Sequence, residues 1–263
     1  DAIIHVFPDA GIAASAKSQG VRARIGTTNR IYHWWSCNEL VKLSRRNSDL
    51  HEAQLNAKLL KPFGIGDNFS LEELSSFLGL KKVKPLPEHF KQYLSGDKFN
   101  VILHPKSHES SREWSLERYA EVIKLLPDEK FNIIISGSKK EEPLLIEWFA
   151  SLPPYVHNCI GKMTLDEFIS FINHADALVA ASTGPLHIAA ALNKHAFGVY
   201  PPIRPMYPGR WAPLGSTAHS FVMNKSCSDC RSAPKQCHCM NEITALQVFQ
   251  KIVEAASSGS RFI

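Results

Sequence analysis

The chain has 263 residues, 44% of them hydrophobic and 21% charged, with a formal net charge of +5. That length fits one large or two modest α/β domains, and the composition excludes disordered, collagen-like and coiled-coil chains. No apolar run nears the roughly 18 residues of a membrane-spanning helix, six cysteines are too sparse for a disulfide scaffold, and no signal-peptide pattern precedes AIIHVF, so a cytoplasmic location is expected.

Along the chain, residues 2–7 and 21–25 read as strands around a short helix at 11–18. A loop rich in Trp, Arg and His follows, then helices at 51–63, stopped by Gly64, and at 71–78, where Ser70 and Glu73 have capping-box spacing. KKVKPLPEHF, with two prolines, reads as a linker. Beyond it, apolar runs at 99–104, 131–136, 155–159, 176–181 and 196–200 read as strands with helical patterns between them. Such β/α alternation predicts a parallel sheet with helices on both faces. Residues 1–95 therefore read as a less complete Rossmann-like domain, expected to lack its opening βαβα, and 96–263 as a fuller one ending in a Cys-rich segment and a helix at 242–255. The basic excess lies in the first part, with 13 Lys/Arg against 9 Asp/Glu up to residue 95 and 17 against 16 after it. It suits an anionic acceptor or lipid surface on that side.

Four segments hold residues that can do chemistry. HPKSHESSREW, residues 104–114, leaves a strand and enters a helix, where free N–H groups and the helix dipole attract anions; Lys106, Ser107 and Arg112 are its candidates. STGPLHIAAAL, residues 182–192, offers Ser182 or Thr183 as a cap, Gly184 for close backbone approach, Pro185 for the first turn and His187 near the helix opening. GSKKEEP, residues 137–143, carries a carboxylate suited to ribose hydroxyls, with Glu141 as the candidate and Glu142 as the alternative. CSDCRSAPKQCHC brings together Cys227, Cys230, Cys237 and Cys239, four thiols compatible with a structural zinc, although free or pairable thiols are the preferred reading.

Together the segments resemble glycosyltransferase family 9, the ADP-heptose:lipopolysaccharide heptosyltransferases. SREWSLERYAEVIKLL, GSKKE and STGPLHIAAAL match the family pattern in order, RARIGTTNR and HEAQLNAKLL match its first third, and CHCMNEITALQVFQKI matches its ending. The resemblance implies a two-domain GT-B fold and metal-free inverting transfer from an ADP-sugar to the lipid A–core, with no cofactor. It puts Arg112 on the diphosphate, where a Lys is usual. Thr183, Gly184 and His187 become the phosphate loop, Ser182 stands where Asp or Asn is common, and Glu141 is the ribose-binding carboxylate. The Gly-Asp segment that supplies the family's base does not occur, so Asp9, in FPDAG, is the substitute candidate. Donor binding with little or no transfer is the expectation for these residues alone.

The implied partners are a nucleotide-sugar donor, an anionic glycolipid acceptor and the cytoplasmic face of the inner membrane. Competing readings are a non-catalytic donor-binding fragment, another NDP-sugar-dependent transferase and an NDP-sugar epimerase. A zinc-containing nucleic-acid module would want a basic stripe with interleaved aromatics, and an NAD-dependent dehydrogenase would want GxGxxG; the sequence has neither.

Overall fold

The computed structural model describes residues 1–45, 48–108, 111–224 and 238–258. It divides into two compact units, Asp1–Phe77 and Leu78–Ile263. The first runs β1 (Ala2–Ile4), α1 (Ala10–Ser18), β2 (Ala23–Thr27), α2 (His33–Ser36), β3 (Glu39–Val41), α3 (Glu52–Ala57) and α4 (Leu71–Ser76). Its three strands are parallel in the order β1-β2-β3. Ile25, Val41, Leu43, Leu55 and Leu59 form the core beneath them. The sequence predicts one helix over 51–63. The structure instead has α3 followed by a 3-10 turn, Lys58–Phe63, containing Pro62, which lacks the N–H that an α-turn would use.

The second unit runs α5 (Glu88–Lys91), β4 (Phe99–His104), α6 (Leu116–Leu125), β5 (Phe131–Gly137), α7 (Glu142–Ala150), β6 (His157–Ile160), α8 (Leu165–His174), β7 (Ala177–Ala181), α9 (Gly184–Ala191), β8 (His195–Tyr200), α10 (Pro208–Trp211), β9 (Ala218–Val222) and α11 (Ala245–Ser258). Its six strands stand in the order β6-β5-β4-β7-β8-β9, and every pairing is parallel. The chain leaves β4 in one direction for β5 and β6, then returns to the other side of β4 for β7. In such a doubly wound sheet, ligands bind outside the carboxyl ends of the strands at this reversal.

Both faces of the sheet are covered. Val101, Leu103, Ile133 and Ile135 pack with Tyr119, Val122, Val248 and Ile252 on one side. Ile102, Ile134 and Leu178 pack with Phe171, Leu186 and Ala189 on the other. The segment read as a linker from its prolines is anchored in this second layer: Leu86 and Phe90 are buried there, and the Ser170 hydroxyl donates to the Lys84 carbonyl at 2.8 Å. Prolines break helices but leave the flanking apolar side chains free to pack.

Candidate functional site

The strands β4, β5, β6 and β7 end around a cleft of about 450 Å³. Each wall has a local cause. β4 is buried along its whole length and delivers His104 to the rim. The loop after it is closed by Trp114, which is 1% exposed and whose indole N–H donates to the Ile243 carbonyl at 3.1 Å. Ser115 then caps α6. Between these anchors, the Glu113 carboxylate accepts the Lys106 ammonium at 2.8 Å, the Ser107 N–H at 2.8 Å and the Ser107 hydroxyl at 3.1 Å. One carboxylate thus fixes the turn that faces the cleft. On the β6 side, Gly161 turns the chain at φ +67°, a left-handed conformation that favours glycine. Thr164 and Glu167 start α8 with a reciprocal capping box.

Buried polar groups set the electrostatics. The His104 Nδ1 lies 2.9 Å from the Ser136 hydroxyl, and its ring stacks on Phe168 with centroids 5.8 Å apart. Desolvation pushes the imidazole down to about 4, against the pull of the Glu141 and Glu113 carboxylates, so it is neutral near pH 7. Glu141 is only 4% exposed. Burial alone would raise its pKa, but the Ser138 N–H and hydroxyl, the His104 imidazole and the His108 backbone outweigh burial and hold it below the usual carboxylate range. The Ser138 donors reach it at 2.7 and 2.8 Å. The cleft therefore contains a buried carboxylate that stays ionised.

At β7 the chain enters α9 through Thr183, which has extended N-cap geometry but makes no side-chain capping bond. Its hydroxyl is buried without a hydrogen-bond partner among the described residues. A group in that state normally costs about 1–3 kcal/mol, and here it stands at the wall of an open cleft. A Cβ placed on the adjacent Gly184 would meet nothing within 4 Å, so backbone at the helix start is accessible to a ligand.

Of the residues singled out from the sequence, Lys106, Ser107, Glu141, Thr183 and Gly184 all line this cleft. Arg112 lies partly buried two residues before Trp114, outside the lining. Ser182 bonds the Tyr200 side chain, whose hydroxyl donates to the Trp211 carbonyl at 2.6 Å. His187 sits on the first turn of α9, its N–H donating to the Thr183 carbonyl at 3.4 Å. Asp9 belongs to the first unit, where its Oδ1 caps α1 by accepting the Ile12 N–H at 2.8 Å. Cys227, Cys230 and Cys237 lie outside the described residues, and Cys239 is buried in the second unit's core.

Sequence reasoning missed His104, Lys140 and the apolar wall of Cys159, Met163, Leu165 and Phe168. Cys159 reads as isolated in the sequence; its place at the end of β6 was the available signal. Its thiol is pushed up to about 12 by burial and is inert there. No described helix is long and apolar enough to cross a membrane.

A family model described as glycosyltransferase family 9 (heptosyltransferase) matches residues 13–241. A putative glycosyltransferase of Haemophilus influenzae is 28% identical over 224 residues, spanning 81% of this chain and 64% of that protein. The chain thus spans just under two thirds of that relative's length. Among solved structures, the Escherichia coli ADP-heptose LPS heptosyltransferase II superposes with TM-score 0.69 at 20% identity, over 95% of this chain and 74% of that one. The E. coli heptosyltransferase WaaC with ADP gives TM-score 0.61 at 20% identity, over 97% and 72%. At these identities the structural likeness concerns the fold.

Proposed function

This chain belongs to glycosyltransferase family 9, and from that premise we propose that its second unit binds the donor of a heptosyl transfer, ADP-heptose, in the cleft at the ends of β4–β7. The observation that carries the reading is the pairing of two unlike ends in one cleft. An ionised, buried Glu141 suits neutral ribose hydroxyls, and an unsatisfied Thr183 hydroxyl beside the open start of α9 suits phosphate oxygens. The solved relative with ADP is consistent with that ligand class.

In this reading Glu141 takes the ribose hydroxyls, and Ser107, Thr183 and Gly184 meet the diphosphate. Lys106 with Glu113 holds the β4 turn. Arg112 on the diphosphate and His187 in the phosphate loop complete the assignment that the family resemblance implies, although neither lines the unliganded cleft. The acceptor hydroxyl attacks the anomeric carbon as its proton passes to a base, the bond from that carbon to the diphosphate oxygen breaks, and ADP leaves with inversion. Donors fixed at the diphosphate stabilise that departing charge. The acceptor is an anionic glycolipid of the lipopolysaccharide inner core, met at the cytoplasmic face of the inner membrane. The base contributes about 10²–10⁴-fold.

Calorimetric titration of the chain with ADP, UDP and GDP tests the donor class. ADP is expected to bind with the highest affinity. Preference for UDP or GDP would overturn the heptose assignment, and no binding of any of the three would overturn the cleft's assignment as a donor site.

A further inference from the structure

Among the described residues two lysines, Lys106 and Lys140, line the cleft, and they are in different states. Lys106 is matched before any ligand arrives, because its ammonium sits 2.8 Å from Glu113. Lys139, its neighbour in the chain outside the lining, is matched by Glu142. Lys140 lines the cleft, is exposed, and makes no ion pair or hydrogen bond among the described residues. It stands on the loop after β5, one residue before the ionised Glu141. In the strand order it falls between the apolar wall at β6 and the Ser107 and Thr183 loops at β4 and β7.

We infer that Lys140 is the residue by which this cleft selects a phosphorylated nucleoside over the bare nucleoside. The inference rests on the donor-site reading above and names a contact that reading lacks. A lysine with no existing pair can turn its ammonium onto a bound anion without breaking anything, whereas Lys106 would have to share its charge with Glu113. Glu141 works in the opposite direction, since a carboxylate beside the ribose disfavours an anion there. Glu141 thus offers negative charge to the neutral ribose, and the flexible Lys140 side chain is assigned to the diphosphate. Because Lys140 is exposed, its contribution falls as salt screens it.

The test is titration of adenosine and ADP into the chain and into the Lys140→Gln and Lys140→Arg variants, at low and high salt. Lys140 is exposed, so neither substitution disturbs packing. In Lys140→Gln, ADP is expected to bind roughly 3- to 5-fold more weakly, adenosine is expected to stay unchanged, and the salt dependence of ADP binding is expected to flatten. Lys140→Arg is expected to restore most of the loss. An unchanged ADP-to-adenosine ratio in Lys140→Gln, with ADP still binding the parent chain, would overturn this inference and leave the donor site standing. Failure of the parent chain to bind either ligand would overturn both.

Discussion

Among the described residues, the first unit has three strands of three to five residues over a core of five buried side chains, whereas the second has six strands whose central members, β4, β5 and β7, are buried almost residue for residue. The first also leaves Phe7, Ile31, Trp34 and Trp35 well exposed. The difference shows where a site can be held to tight tolerance. A loop keeps its geometry when the residues at both ends are fixed, and the cleft loops start from buried strands and end in anchors such as Trp114 and the Thr164–Glu167 box. In the first unit the loop after β1 is held by the Asp9 cap on α1 and by the Arg45 guanidinium, which donates to the Val6 carbonyl at 3.2 Å.

The largest expected effect comes from removing such an anchor. Trp114→Ala should destabilise the second unit by about 3–5 kcal/mol, the range for truncating a buried aromatic. Hydrogen exchange should show lost protection through β4–β7 with β1–β3 unchanged; equal loss in both units would dissolve the contrast.

A comparable effect follows from pH. In the unfolded chain His104 takes a proton near 6.5, but in the fold it refuses one until about 4. The unfolded state therefore binds more protons across that window, and stability falls as pH drops from 6.5 to 4, by about 3 kcal/mol. His5 and His33, pushed down by burial, act in the same direction in the first unit. Denaturant unfolding at stepped pH should show the slope, and His104→Gln should flatten it for the second unit.

Thr183→Val should weaken ADP binding by about 1–2 kcal/mol while leaving the unliganded chain as stable as before or slightly more so, because it removes a buried hydroxyl that has no partner. A less stable unliganded variant would mean that the hydroxyl serves the fold. The smallest change, Ser70→Ala, breaks the capping box of α4 and should cost about 1 kcal/mol. Its effect should stay within the first unit's exchange pattern, and spread into the second would contradict the two-unit description.

What could be read from the sequence follows the same divide. The strands of the second unit are covered on both faces, so FNVILH and FNIIIS show as continuous apolar runs. β3 and β9 were missed because ELV and AHSFV are short and only partly buried. The capping signals at Ser70 and Thr164 were legible because they depend on residues three apart. Ser107, Glu141, Thr183 and Gly184 were legible as candidates because they lie on loops that leave a strand-like run and open a helix. Local sequence could not reveal that Glu113 would take Lys106 and leave Lys140 unmatched, since that depends on how the β4 turn folds back on itself. Nor could it show His104 as a neutral group, a property created by burial against Ser136 and Phe168.

Hydrogen exchange of the chain with and without saturating ADP tests the central claim most directly. The account predicts new protection in the loops at 104–108, 137–141, 159–168 and 182–187, with residues 1–77 unchanged. Protection confined to residues 1–77, or none in those four loops under saturating ligand, would contradict it.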